Sequence, residues 1–77
     1  MVQAYILIQT RPGMGPRVTK EVSKVKGVDS ASEVAGPYDV IARAQARSLE
    51  ELSKGLLDSI EALAGVTRTI TCSVIHL

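Results

Sequence analysis

Two stretches of the chain decide its fold: MGPRVTKEVSKVKGV, residues 14–28, and LSKGLLDSIEALAGV, residues 52–66. In each stretch apolar residues recur at the spacing of one helical face, and each stretch ends in Gly-Val. When the stretches are superposed, the apolar positions coincide: Met14 with Leu52, Val18 with Leu56, Val22 with Ile60 and Val25 with Leu63. The chain is therefore predicted to have two similar halves, each with a strand, a helix, a glycine stop and a second strand.

Alternating apolar and polar residues predict four strands, at about residues 2–10, 28–35, 38–47 and 66–77. The helices are predicted at about residues 14–25 and 49–64, and Gly36-Pro37 is expected to form a tight turn between the second and third strands. The order β-α-β-β-α-β with right-handed crossovers is typical of the ferredoxin-like fold, in the α+β class. Four antiparallel strands would then carry both helices on one face.

The second helix has its own start and stop signals. Ser48 and Glu51 have the spacing of a capping box, and Gly65 is expected to end the helix in the left-handed conformation. Leu49 is assigned to the buried stripe of this helix. Gly55 lies in the helix interior, where glycine costs about 1 kcal/mol relative to alanine. A close approach of the helix to the sheet would explain that glycine.

Composition excludes several classes of protein. The 77 residues suffice for one domain, residues 1–77. A net charge of +1 and only 3% aromatic residues argue against a nucleic-acid binder. One cysteine rules out an internal disulfide, and no apolar run approaches the roughly 18–20 residues that span a bilayer. We therefore expect a cytoplasmic domain with neither a nucleic-acid nor a membrane partner.

The strand pattern predicts that the sheet face away from the helices is too apolar to stand in water. Tyr5 and Leu7 of the first strand lie on that face. The other strands are predicted to add Ala31, Ala35, Ile41 and Ile75, beside Glu33, Arg43, Gln45 and the row Thr67, Thr69, Thr71 and Ser73. Because an uncovered, partly apolar face marks a partner site, we expect two sheets to pack face to face in a homodimer.

The sequence contains no residue pattern typical of a catalytic or metal site. Cys72 and His76 are the only cysteine and histidine, too few to complete a metal set. Asp29, Glu33 and Asp39 have no defined spacing to a nucleophile. We therefore expect a protein without catalytic residues, metal or cofactor. The alternative is a small dimeric ferredoxin-like enzyme, a dimeric α/β barrel such as a cofactor-free monooxygenase or isomerase.

Two polar motifs have open roles. Gly36-Pro37-Tyr38-Asp39 is either an ordinary hairpin turn or a group of phenol, carboxylate and backbone amides that holds an α-amino group and a carboxylate. The hydroxyl row at 67–73 either simply suits a polar strand face or lines a small polar pocket beside an interface.

Four motifs follow one another along the chain in a characteristic order and spacing. They are Ala4-Tyr5-Ile6-Leu7-Ile8 with Pro12-Gly13, Val25-Lys26-Gly27-Val28, Gly36-Pro37-Tyr38-Asp39-Val40, and Gly65-Val66-Thr67-Arg68-Thr69-Ile70-Thr71. Together they resemble the effector-binding (RAM) domain of the Lrp/AsnC regulators, over nearly the whole chain. The resemblance implies the same βαββαβ fold.

The resemblance also implies a function. Domains of this family bind amino acids or related small molecules, and their dimers assemble into tetramers or octamers. By position, Gly36, Tyr38 and Asp39 match the ligand-binding turn of the family, and Thr69 and Thr71 match its strand hydroxyls. Asp39 and the backbone near Gly36 would then face the amino and carboxylate ends of the ligand, while the two threonines would supply hydrogen bonds.

Regulators of this family carry a DNA-binding helix-turn-helix before this domain, whereas here the first strand follows Met1 directly. The resemblance therefore implies a stand-alone effector-binding module that does not bind DNA. Such a module would modulate transcription by sensing its ligand or by co-assembling with a full-length Lrp/AsnC regulator.

Overall fold

The computed structural model describes residues 1–75, so the predicted end of the fourth strand, at His76 and Leu77, lies outside the described residues; within them this strand ends at Ser73 rather than continuing through Ile75. Within this range the strands are β1 (Val2–Thr10), β2 (Val28–Glu33), β3 (Val40–Ala46) and β4 (Val66–Ser73). The first helix, α1, is Gly15–Ser23; the second, α2, has a π-helical segment, Glu51–Leu57, and an α-helical segment, Asp58–Glu61. The antiparallel sheet has the order β2-β3-β1-β4, which confirms the predicted ferredoxin-like fold.

The core lies between the sheet and the two helices, as the apolar repeat predicts. The helices contribute the buried residues Val18, Val22, Leu52, Leu56 and Ile60. Leu49, predicted to be buried with them, is instead 63% exposed. It directly follows Ser48, the residue that caps the helix, and so precedes the turns of α2 that pack on the sheet.

On the sheet side, the core consists largely of alanines, whose side chains are short. The buried face of β3 consists of Val40, Ala42, Ala44 and Ala46, and β1 adds Ala4 beside two isoleucines. These short side chains fill little of the space between the sheet and the helices. The protein measures 36 × 23 × 17 Å along its principal axes.

Both helices end in the same way, so the sequence repeat extends to single hydrogen bonds. After α1 the amide of Val25 donates to the carbonyl of Val22, at 3.0 Å, and after α2 the amide of Leu63 donates to that of Ile60, at 3.1 Å. Gly27 and Gly65 follow at equivalent positions with φ of 97° and 94°. This confirms the predicted glycine stops, since glycine adopts positive φ without strain.

The first half of α2 differs from α1. Ser48 Oγ accepts a hydrogen bond from the amide of Glu51 at 3.1 Å, which is the predicted cap. The backbone then widens into the π-helical segment, which the sequence did not predict, and the helix ends at Glu61 rather than at residue 64. A Cβ added to Gly55 would have no neighbour within 4 Å. The expectation that a close approach to the sheet explains this glycine is therefore wrong.

The strand register decides which side chains point away from the helices, because paired residues of antiparallel strands project to the same face. Tyr5 pairs with Arg43, and Leu7 pairs with both Ile41 and Ile70. These five residues alternate with buried positions and define what we call the open face. The predicted positions of Tyr5, Leu7, Ile41 and Arg43 are confirmed, and so is that of Gln45, which pairs with Gln3.

Other residues predicted on the open face lie on the helix side. The register pairs Thr69 with Ile8, Thr71 with Ile6, Ser73 with Ala4, Ala31 with Ala42 and Glu33 with Val40, and the second residue of each pair is buried in the core. Ala35 and Ile75 lie outside the strands. The prediction was wrong for these residues because alternation within a strand does not fix its register with the neighbouring strand. Irregularities at residues 9–10 and 28–30 shift two of the ladders.

Candidate functional site

The predicted ligand-binding turn is longer than expected. Residues 34–39 connect β2 to β3, and the amide of Val34 donates to the carbonyl of Asp39 at 2.9 Å across the base of the connection. Gly36 and Pro37 are exposed in its middle. The tight two-residue turn was therefore wrong in length, although its position along the chain was correct.

Asp39 fastens this turn to the neighbouring strand. Its carboxylate Oδ2 accepts a hydrogen bond from the amide of Thr10 at 2.8 Å, and its own amide donates to the carbonyl of Ile8 at 2.9 Å. Both contacts lie at the end of β1. Asp39 therefore stabilises the turn, as the hairpin interpretation predicted. Its other carboxylate oxygen, Oδ1, does not contact Thr10.

Gly36 has no steric reason within the chain to be glycine. Its φ is not positive, and an added Cβ would have no neighbour within 4 Å. Tyr38, two residues later, is half-buried. The turn therefore offers an accessible backbone at Gly36 beside a tyrosine side chain and a carboxylate.

The two predicted strand hydroxyls lie on the helix side of β4. Thr69 Oγ1 donates to Glu61 Oε2 of α2 at 2.9 Å, and Thr71 is half-buried opposite Ile6. Ile8 pairs with Val40 on one side and with Thr69 on the other, so the turn and Thr69 flank the same end of β1. Strand spacing separates Val40 from Thr69 by about 10 Å. The structure brings Gly36, Tyr38 and Asp39 together and places the threonines across β1 from them.

The open face has an apolar row and a polar row. Ile41, Leu7 and Ile70 are adjacent across three strands and half-buried, with Ser32 at the β2 end of the row. The next row is Ser30, Arg43, Tyr5 and Cys72. Sequence reasoning missed Ile70, Ser30 and Ser32 on this face. These three residues can be assigned to the open face only from the residues of β1 and β3 with which they pair.

Two of the cavities formed by residues 1–75 are open to solvent. One, of about 470 Å³, lies between the end of α1 and the π-helical segment, and its lining includes Lys26, Gln45, Glu51 and Gly55. The other, of about 350 Å³, lies on the open face beside Arg43. Within residues 1–75 no three His, Cys, Asp or Glu side chains are grouped as metal ligands would be. In the same range neither helix has the length and apolar composition needed to cross a membrane.

The chain has relatives among known protein families and sequences. Residues 3–76 match the Lrp/AsnC ligand binding domain. A helix-turn-helix transcriptional regulator of Pyrococcus furiosus, itself uncharacterized, is 30% identical over 71 residues, which are 88% of this chain and 47% of the regulator. Homocitrate synthase of Saccharolobus islandicus is 36% identical over 58 residues, 75% of this chain but 12% of the enzyme. The chain thus spans about half the length of the regulator and a small part of the synthase.

Solved structures show the same fold. A protein of Thermus thermophilus superposes with a TM-score of 0.91 at 28% identity, over 100% of this chain and 96% of that one. A transcriptional regulator of Neisseria meningitidis, solved as a complex with L-Met, superposes with a TM-score of 0.82 at 23% identity, over 97% of this chain and 50% of that one. With a family match that extends over residues 3–76, the chain belongs to the Lrp/AsnC ligand-binding domains.

Proposed function

We propose that this chain is a non-enzymatic module that binds an amino acid or a related small molecule and assembles into oligomers. The family match over residues 3–76 is the observation that carries the proposal. An amino acid as ligand is supported by the Neisseria regulator, which shares the fold and was solved with L-Met.

The regulator and the enzyme that contain related segments support small-molecule sensing as the property common to these segments. The matching segment occurs in a transcriptional regulator and in homocitrate synthase, where it is a minor part of the enzyme. DNA binding is not common to both proteins, and neither is catalysis. A response to a small molecule is a property that serves a regulator and an enzyme alike. We infer that this chain does not bind DNA itself and acts on transcription by sensing its ligand or by joining a full-length regulator.

A second copy of the chain covers the open face in this proposal. The row of Ile41, Leu7 and Ile70 is apolar, and a two-fold axis would pack it against the same row of the partner. Buried apolar area contributes about 25 cal/mol per Å², which is a substantial gain for a domain of 77 residues. Such dimers assemble further into tetramers or octamers.

The turn at residues 34–39 holds the charged ends of the ligand. The accessible backbone at Gly36 receives the carboxylate, and Asp39 Oδ1 receives the ammonium group, since Oδ2 is engaged with Thr10. Tyr38 lies beside both. Thr69 and Thr71 contribute from the other side of β1, where the hydroxyl of Thr69 already donates to Glu61.

Thermal unfolding in the presence of each of the twenty amino acids, combined with light scattering, tests the proposal. A bound ligand raises the midpoint of unfolding by mass action, by an amount that grows with its concentration. We expect at least one amino acid to do so and the protein to be a dimer or larger. A folded monomer that no amino acid stabilises would contradict both parts.

A further inference from the structure

Arg43 lies at the centre of a polar group on the open face. It pairs with Tyr5 on β1 and with Ser30 on β2, so all three side chains project from the same side of the sheet. These residues and Ser32, Val34 and Ile41 line the cavity of about 350 Å³. The cavity therefore combines one guanidinium, three hydroxyls and two branched apolar side chains.

This cavity contains no negative charge. None of its lining residues is acidic, and the ion pairs within residues 1–75, Lys24–Glu21 and Lys54–Glu50, do not involve Arg43. The strands contain two acidic residues. Glu33 lies on the helix side. Asp29 reaches Gln45, which projects from the open face, and its carboxylate accepts a hydrogen bond from that side chain at 2.9 Å; Asp29 does not line the cavity. The guanidinium of Arg43 therefore forms no ion pair within residues 1–75.

Covering the open face makes the unpaired guanidinium of Arg43 energetically unfavourable. If a second copy covers it, as proposed above, Arg43 loses water, and an unpaired buried charge is strongly unfavourable. The partner presents the same face, on which the arginine is again unpaired and Asp29 is again held by Gln45, so a two-fold interface supplies no free carboxylate. A bound anion resolves the imbalance.

We propose that this cavity binds the carboxylate of a small organic acid with a branched apolar tail. The guanidinium fork of Arg43 takes the carboxylate in two parallel hydrogen bonds, and the hydroxyls of Tyr5, Ser30 and Ser32 donate to it. Val34 and Ile41 contact the tail. Because the lining has no acidic group, an α-ammonium group beside Arg43 is unfavourable. The cavity thus prefers an acid without an amino group, unlike the turn at Asp39.

Calorimetric titration with isocaproate, which is leucine without its α-ammonium group, tests this site. Isocaproate should bind saturably, and Arg43→Gln should weaken it about tenfold or more, the scale of one lost charge-assisted hydrogen bond. Arg68→Gln is the matched control, because Arg68 lies on β4, where it pairs with Gln9 of β1, and does not line the cavity. This variant should bind isocaproate as the native chain does. The response to whichever amino acid stabilises the native chain, which the turn accounts for, should be insensitive to Arg43→Gln.

The outcomes separate this site from the proposed function. Absence of saturable isocaproate binding, or equal losses in Arg43→Gln and Arg68→Gln, overturns the carboxylate site. Inorganic phosphate that competes as well as isocaproate would show a simple anion site and would also overturn the preference for an apolar acid. Light scattering on the same samples reports the dimer independently. Arg43-dependent binding to a monomer would support the cavity while contradicting the covered face.

Discussion

The carboxylate of Asp39 accepts a hydrogen bond from the backbone amide of Thr10 across 2.8 Å, and thereby ties the turn between β2 and β3 to the end of β1. A residue matched to ligand binding by resemblance is therefore also a structural contact. Any variant of Asp39 must separate the two roles, because losing the contact lowers stability even without a ligand.

Replacing Asp39 in two ways separates these roles. Asp39→Ala should lower the free energy of unfolding by about 1 kcal/mol, since the amide of Thr10 loses its acceptor. Asp39→Asn keeps an oxygen for that amide and should cost less. Both variants remove the charge that would hold an ammonium group, so both should lose the stabilisation by amino acids. Urea denaturation with and without ligand measures the two effects. If Asp39→Asn kept the full ligand response, Asp39 would not belong to the binding site.

Gly36→Ala tests the turn without disturbing the fold. An added Cβ has no neighbour within 4 Å and φ is not positive, so the free energy of unfolding should change by less than about 0.5 kcal/mol. A ligand carboxylate held against the backbone at this point would meet the new methyl group. We therefore expect the amino-acid response in thermal unfolding to weaken while stability is retained. An unchanged response would place the ligand away from Gly36.

Two further glycines should respond in opposite directions to alanine. At Gly65, with φ of 94°, a Cβ would lie 2.8 Å from Met14 Cε and 3.2 Å from Val18 Cγ2, so Gly65→Ala should destabilise by about 2 kcal/mol or more. At Gly55 a Cβ has open space, so Gly55→Ala should stabilise by about 0.5–1 kcal/mol. Chemical denaturation of both variants measures the difference. Destabilisation by Gly55→Ala would mean that the π-helical segment itself requires glycine.

A charge on the open face should separate the subunits of the proposed dimer. Leu7→Glu and Ile70→Glu each place a carboxylate in the apolar row, where face-to-face packing would bury it, so sedimentation or light scattering should show monomers. Leu49→Glu is the control, because Leu49 is an equally apolar residue that is 63% exposed beside the helix cap. Its substitution should leave the assembly intact. Equal effects of all three variants would contradict an interface on the open face.

The sequence predicted the parts of this fold that local patterns control. Val18, Val22, Leu56 and Ile60 are buried as their helical spacing requires, and Gly27 stops α1 at positive φ. Such features depend on near neighbours in the chain, which the sequence displays directly.

The parts that were missed depend on pairing between distant segments. Thr69 was placed on the wrong face because the ladder between β1 and β4, with its irregularity at residues 9–10, sets the facing of the whole strand. The same ladder brings Ile70 to the open face. The π-helical turns around Gly55 also had no signal in the sequence, since apolar residues four apart suit an ordinary helix as well.

In the candidate site, the sequence located the turn but not the contact that organises it. Gly-Pro-Tyr-Asp indicated a turn with polar groups, and the resemblance indicated a ligand. The partner of Asp39, the amide of Thr10, is 29 positions away and has no side-chain signature. Arg43 could be proposed as a binding residue only after the sheet showed that Tyr5 and Ser30 are its neighbours.

The alanines on the buried side of β3 affect how the protein should be handled. With Ala42, Ala44 and Ala46 under the helices, the molecule is a slab only 17 Å deep, and a slab has little interior for its amount of surface. If the chain assembles as proposed, a subunit separated from its neighbours would lose the stabilisation that the interface adds. Dilution and denaturant would then act on the same equilibrium, so an unfolding midpoint has meaning for this protein only together with the concentration at which it was measured.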